Sequence, residues 1–307
     1  MNVRVALSPG SAEVFAEAVT AGGGVVVPLE DKAEALVCAS LTTPNVLRDL
    51  LSGAPAVRWV QLPSAGVDRF AAAGVFADKR IKVWTCAKGA YAAPVAEHAL
   101  ALALACLRRL PERARATSWG KQAGVMLGGL DVLIVGGGGI AREILRLLEP
   151  FGVRSVVVRR GEGKVSGASR TVTLDQLDVE LARADVVFIA APLTDITKDL
   201  MNAGRFAQMK RSAWLVNVAR GGIVVTDELE ATLREGRIAG AALDVTEPEP
   251  LPDGHPLWSR ENCLITPHTA DTPEITRGLL AARIRENVSR FREGTDLLGT
   301  VDVKLGY

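Results

Sequence analysis

Three side chains of different charge stand at the ends of apolar, strand-like runs in the second half of the chain. Arg220 follows Leu215-Val216-Asn217-Val218-Ala219 and precedes Gly221-Gly222, while His268 closes Cys263-Leu264-Ile265-Thr266-Pro267. Glu249 lies in Thr246-Glu247-Pro248-Glu249-Pro250-Leu251-Pro252, after the run Ala241 to Val245. In an open α/β sheet the ligand crevice lies at the carboxyl ends of the strands, so this placement brings a guanidinium, a carboxyl and an imidazole to one rim. Such a trio can converge on a small acidic substrate. Each residue alone is an ordinary solvated loop residue, and only the conjunction points to chemistry. Of the other histidines, His98 at the entry of an apolar helix reads as structural. His255, in the turn Asp253-Gly254-His255-Pro256, reads as solvated or capping.

A second constellation is the run Val132-Leu133-Ile134-Val135-Gly136-Gly137-Gly138-Gly139-Ile140-Ala141, a G-x-G-x-x-A pattern directly after a strand and opening a helix. Gly136 permits the tight turn, Gly138 lets the backbone approach a pyrophosphate, and the small Ala141 allows close helix–strand packing. The N–H groups of the helix start, around Gly139 and Ile140, then face the phosphates. A dinucleotide is therefore the expected cofactor. The next strand ends Val156-Val157-Val158-Arg159-Arg160-Gly161, with no acidic residue at its tip. A carboxylate there would hold the ribose 2′-hydroxyl of NAD, whereas Arg159, with Arg160 beside it, matches a 2′-phosphate and favours NADP over NAD. The opposing reading is two solvated arginines with Glu162 reaching the ribose.

The elements that must position these groups alternate between short apolar runs and helical patterns, which predicts parallel sheets covered by crossover helices. Strands are expected at Val3 to Leu7, Val25 to Val27, Leu36 to Ala39, Val57 to Leu62 and Ile81 to Thr85, and a second series starts at Val132. That series continues through Ser155 to Val158, Asp185 to Ala190, Ala213 to Val218, Ala241 to Val245 and Cys263 to Thr266. Thr43-Pro44 marks a helix start that runs to Gly53, and Asp227 with Glu230 reads as a capping box for a helix ending at Gly236. The nine apolar residues Ala99 to Leu107 are too few to cross a bilayer, which takes about 20, and read as a fully buried helix. A terminal helix begins near Ile284.

Composition agrees with this picture. The 307 residues, 48% of them hydrophobic, make an ordinary globular protein of about two domains. The 36 basic and 35 acidic residues leave a formal net charge of +1, so no global field draws nucleic acid or an anionic membrane. Cys38, Cys86, Cys106 and Cys263 form no metal or redox pair and fit a reducing, cytoplasmic compartment. No metal site is expected.

Taken in order, Pro63-Ser64-Ala65-Gly66-Val67-Asp68, Ala93-Pro94-Val95-Ala96-Glu97, the glycine loop and Pro192-Leu193-Thr194 with Thr197 resemble the D-isomer-specific 2-hydroxyacid dehydrogenase family. Asn217 to Gly222, Leu243-Asp244-Val245 through Pro252, and Thr266-Pro267-His268 continue the likeness. The resemblance implies two Rossmann-like doubly wound parallel-sheet domains. A dinucleotide-binding domain, 99–283, is inserted into a flavodoxin-like substrate domain made of 1–98 and 284–307. It implies that Arg220 binds substrate, that His268 is the acid/base with Glu249 as partner, and that backbone N–H groups around Ala65, Gly66 and Val67 hold a carboxylate. Cofactor contacts are implied at Pro192, Val218, Ala219 and Asp244, and the assembly is a homodimer. The implied reaction moves hydride between NAD(P)H and a small anionic 2-keto or 2-hydroxy acid. Arg159 points to the glyoxylate/hydroxypyruvate reductase branch. Alternatives from the same fold are a D-3-phosphoglycerate dehydrogenase-like activity, a formate dehydrogenase, against which Glu249 argues, and a non-catalytic NAD(P)H-sensing scaffold like the transcriptional corepressors.

Overall fold

The computed structural model describes residues 2–38 and 42–307. The chain divides into two compact units, residues 1–91 with 272–307, and residues 92–271. The divisions fall at helix starts, since helices begin at Ala92 and at Pro273. Against the expected limits of 98/99 and 283/284, each division lies nearer the N-terminus.

The first unit holds a five-stranded parallel sheet of β1 (Val3–Leu7), β2 (Gly24–Val26), β3 (Ala35–Val37), β4 (Trp59–Gln61) and β5 (Val83–Thr85), in the order β2-β1-β3-β4-β5. That is the flavodoxin-like order. The expected strand end at Ala39 lies outside the described residues. Helix Pro44–Ser52 starts where Thr43-Pro44 marks it, and the Thr43 hydroxyl accepts from the Val46 N–H. The terminal helix runs from Pro273 to Glu293, eleven residues earlier than expected, because Thr272-Pro273 is itself a start signal. It joins a buried polar chain in which Asn287 Nδ2 donates to Gln61 Oε1 and to the Leu298 carbonyl, both at 3.0 Å.

The second unit holds seven parallel strands, β6 (Asp131–Val135), β7 (Arg154–Arg159), β8 (Arg170–Thr173), β9 (Val186–Ile189), β10 (Trp214–Asn217), β11 (Gly240–Leu243) and β12 (Cys263–Ile265). Their order, β12-β11-β10-β9-β6-β7-β8, is that of the dinucleotide fold with an added seventh strand, and the order reverses between β6 and β9. The edge strand β8 escaped the sequence because Arg170-Thr171-Val172-Thr173 has one buried residue and no apolar run. Two expectations are corrected. Helix Ala92–Leu107 buries Ala99, Leu102, Ala103, Cys106 and Leu107 but exposes Ala101 and leaves Leu100, Leu104 and Ala105 half-buried, so the apolar run is only partly buried. Helix Thr226–Arg234 is not closed by a capping box. Its N-cap is Val225, Asp227 sits inside the first turn, and Glu230 is drawn away to Arg234 at 2.5 Å and Arg260 at 2.7 Å.

Candidate active site

Six of the seven strand ends of the second unit carry groups singled out in the sequence. Past β6, Gly136 has φ +116°, and a Cβ there would lie 2.4 Å from the Ala190 carbonyl oxygen past β9. Only glycine lets these two strand ends close on each other at the switch point. Gly138 faces open space, with no atom within 4 Å of a Cβ built on it. Helix Gly139–Leu148 follows with no side chain capping its N-terminus. Ala141, in its first turn, is fully buried. An open backbone turn and uncapped helix amides, including those of Gly139 and Ile140, fit a pyrophosphate. Pro192 follows β9, and its carbonyl accepts from the Thr197 hydroxyl at 2.6 Å, which pins the adjoining loop.

Arg159 is the last residue of β7 and is half-buried, with its side chain folded alongside Gly137, while Arg160 is exposed. Beyond them, a cavity of about 300 Å³ is lined by Gly161, Glu162, Lys164, Thr171, Thr173 and Gln176 among others.

The β10 end is built by Asn217, whose Oδ1 accepts from the Ala219 N–H at 3.1 Å and whose Nδ2 donates to the Arg220 carbonyl at 2.9 Å. Val218 and Ala219 are buried, and Arg220 is half-buried. Gly221 lies so close to the next strand end that a Cβ would meet the Thr246 carbonyl oxygen at 1.9 Å. Absence of a side chain at 221 therefore lets the Arg220 turn pack against the Thr246–Glu249 segment. Sequence reading noticed the Gly221-Gly222 pair but not this reason for it.

His268 adopts φ +52°, uncommon for a residue other than glycine. Its N–H donates to the Asp244 carbonyl at 2.8 Å, and its Nδ1 stands 2.6 Å from Glu249 Oε1. A carboxylate at Nδ1 orients the ring and leaves Nε2 for a reacting oxygen. Glu249 is held by its own loop, where the Thr246 hydroxyl donates to the Pro248 carbonyl at 2.8 Å and the Thr226 hydroxyl to the Glu247 carbonyl at 2.6 Å.

Asp244, buried past β11, ties the turn after β12 together. Its Oδ1 accepts from the Thr266 hydroxyl at 2.6 Å and the Thr269 N–H at 2.9 Å, and its Oδ2 from the Ala270 N–H at 3.2 Å. Burial pushes this carboxyl up, but hydrogen bonds from His98, Thr266 and the Thr269 N–H overcome that and hold it at about 2. His98 is thus wired into this turn, a link that no local pattern in the sequence announces. Burial pushes the nearby Asp271 carboxyl up, and that carboxyl also feels the charges of His268, Asp244 and Arg220. His255 caps helix Pro256–Ser259 through Nδ1, which accepts from the Leu257 N–H at 3.3 Å.

Ala65, Gly66 and Val67 belong to the first unit and precede helix Asp68–Ala72. The Gly66 carbonyl accepts from the Ser64 hydroxyl at 2.6 Å and the Ala65 carbonyl from the Cys86 thiol at 3.5 Å, which fixes the turn.

Residues 100–270 match the family model of the D-isomer-specific 2-hydroxyacid dehydrogenase NAD-binding domain. The chain belongs to this dehydrogenase family. A glyoxylate reductase of Aeropyrum pernix is 34% identical over 274 residues, 85% of this chain and 81% of that protein. A family member from Xanthobacter autotrophicus Py2, solved with NADPH and MES, superimposes with a TM-score of 0.84 at 28% identity, covering 100% of this chain and 99% of that one. The NADPH-dependent glyoxylate/hydroxypyruvate reductase of Sinorhizobium meliloti, solved with NADP and sulfate, has a TM-score of 0.83 at 25% identity and covers both chains fully. The protein is accordingly an oxidoreductase with a dinucleotide-binding unit. Among the described residues no helix is long and apolar enough to cross a membrane, and no group of side chains is arranged to hold a metal ion.

Proposed function

We propose that this dehydrogenase reduces a small 2-keto acid, with glyoxylate or hydroxypyruvate as substrate and NADPH as the preferred reductant. The observation that carries the reading is the 2.6 Å His268–Glu249 pair on a left-handed turn, at the same sheet rim as Arg220. Gly136, Gly138, Gly139 and Ile140 would hold the pyrophosphate, and Pro192, Val218, Ala219 and Asp244 the nicotinamide half. When bound, the nicotinamide supplies hydride to the keto carbon. Arg220 holds the carboxylate and keto oxygens and stabilises the negative charge that grows on the latter. His268 delivers a proton from Nε2 to that oxygen while Glu249, at Nδ1, keeps the ring oriented and supports its charged form. Residues 1–91 with 272–307 would serve as the substrate unit, in which the Ser64 and Cys86 contacts fix the backbone turn at Ala65, Gly66 and Val67.

Preference for NADP rests on Arg159 at the β7 tip with Arg160 beside it, and on Lys164 in the adjoining cavity. A 2′-phosphate accepts paired, charge-assisted hydrogen bonds that a ribose hydroxyl does not offer to a guanidinium. We also propose a homodimer. Leu110, Trp119, Val125 and Met126 are 55%, 94%, 53% and 71% exposed along one arm, an apolar set that a second copy would cover. All four cysteines are free and buried, in keeping with a cytoplasmic protein.

Parallel assays of NADPH and NADH oxidation against a panel of 2-keto acids test the reading. Turnover is expected with glyoxylate or hydroxypyruvate, faster at limiting NADPH than at limiting NADH. Absence of turnover with every 2-keto acid overturns it.

A further inference from the structure

His98 lies in the second turn of helix Ala92–Leu107, with Nε2 2.9 Å from Thr266 Oγ1 and 3.2 Å from Asp244 Oδ1. Proton accounting settles who donates. The Thr266 hydroxyl has a single hydrogen, and its 2.6 Å contact with Asp244 Oδ1 uses it. Toward His98 that oxygen can only accept, so Nε2 carries hydrogen whether the ring is neutral or charged. Asp244 Oδ1 then faces the Thr266 hydroxyl, the Thr269 N–H and the flank of the His98 Nε2–H. Its acceptor capacity is filled by the protein. Oδ2 receives the Ala270 N–H at 3.2 Å and keeps a lone pair for another donor.

We infer that His98 is a positioning residue: its Nε2–H clamps Thr266 and Asp244 Oδ1 together, so that Asp244 presents its Oδ2 edge to a donor amide of the ligand. The clamp divides the carboxylate between two tasks. Oδ1 is given wholly to the turn that carries His268 in its left-handed conformation, while Oδ2, bound there only by the Ala270 N–H, keeps its second lone pair to read the cofactor. The natural donor is the carboxamide of the nicotinamide ring, so this inference rests on the cofactor reading above. Without the imidazole, the Thr266 hydroxyl is free to turn toward solvent, and the carboxylate can rotate and lose the orientation in which the remaining Oδ2 lone pair meets the ligand.

The experiment has two arms. Nitrogen-15 NMR of histidine-labelled protein without cofactor reads the proton directly, and with three histidines in the chain assignment needs only His255 and His268 variants. A protonated Nε2 is expected at His98, and a bare Nε2 overturns the proposal. In the second arm, equilibrium binding of NADPH is compared with that of its 3-acetylpyridine analogue, whose acetyl group has no N–H. For a hydrogen bond to a charged acceptor the wild type should favour NADPH by roughly tenfold or more. His98→Leu should shrink that preference at least threefold, or about 0.65 kcal/mol. His98→Gln, which keeps a donor, should restore it, and 2′,5′-ADP, which has no nicotinamide, should bind all three proteins alike. Retained preference in His98→Leu overturns the clamp, as does loss of 2′,5′-ADP binding in step with it, which would mean general unfolding. Failure of the wild type to bind either dinucleotide or 2′,5′-ADP would instead refute the cofactor reading, and the NMR arm would still decide the proton on Nε2.

Discussion

Replacing Asp244 by Asn keeps the size of the side chain, removes its charge and turns one of its acceptors into a donor. Asp244 is 2% exposed, so the change happens out of reach of water. Its carboxyl sits at about 2 against an ordinary 3.8, a gap of roughly 1.8 pH units. That gap corresponds to about 2 kcal/mol of preference for the carboxylate in the folded protein. The sign follows from the direction: a carboxyl held low when folded contributes its full share of stability well above pH 3.8, and loses it as pH falls toward 2. By pH 3 roughly half of it is gone. The amide adds a second cost, because its NH₂ must face either the Ala270 N–H, on a residue 4% exposed, or the Thr266 and Thr269 donors. A buried donor left unpaired costs about 1–3 kcal/mol. The variant should therefore lose roughly 3–5 kcal/mol at neutral pH. Denaturant unfolding followed by fluorescence of Trp214, buried in the same unit, measures the loss, and hydrogen exchange at the Thr269 and Ala270 amides localises it. An unchanged midpoint at neutral pH refutes the reasoning. So does a difference between wild type and variant that fails to narrow between pH 5 and pH 3.

Four other substitutions test separate steps. Arg159→Ser should raise the KM for NADPH by about tenfold while leaving that for NADH nearly unchanged; steady-state kinetics with both coenzymes checks it. Glu249→Gln removes the charge 2.6 Å from His268 Nδ1 and should lower kcat for keto-acid reduction by about tenfold, with little change in the KM for coenzyme. Gly136→Ala forces a side chain to φ +116° and to 2.4 Å from the Ala190 carbonyl, so thermal melting should show a loss of several kcal/mol or no folded protein at all. Asn287→Leu leaves the Leu298 N–H and carbonyl and the Gln61 Oε1 without their shared partner, and calorimetry should find the first unit destabilised by about 2–4 kcal/mol.

What could be read from the sequence was whatever local physics decides. Val132 to Val135 is fully apolar because both faces of a central parallel strand are covered, and the glycines that follow permit a positive-φ turn that a side chain would block. Thr43-Pro44 starts a helix because an oxygen side chain and a missing N–H solve the same end problem. Edge strand β8 was invisible for the complementary reason. One of its faces meets solvent, and four residues are too short for alternation to stand out. Asp227 and Glu230 have the spacing of a capping box, but two arginines, one 30 positions away, outbid the backbone for Glu230. No window of local sequence contains that competition.

The same division runs through the site. Arg220, Glu249 and His268 were legible because each stands at a strand end, and the rule that strand ends gather ligands needs only the order of elements. His98 has no such marker. It lies 146 positions from Asp244 and 168 from Thr266, on a helix whose apolar stripe hides it among packing residues. Its significance arises from donors and acceptors that can be counted only when helix and strand ends are placed together. A histidine near the start of an apolar helix is, on sequence grounds, a packing residue. A histidine whose hydrogen is dictated by a threonine that has already given its own away belongs to the geometry of the active site.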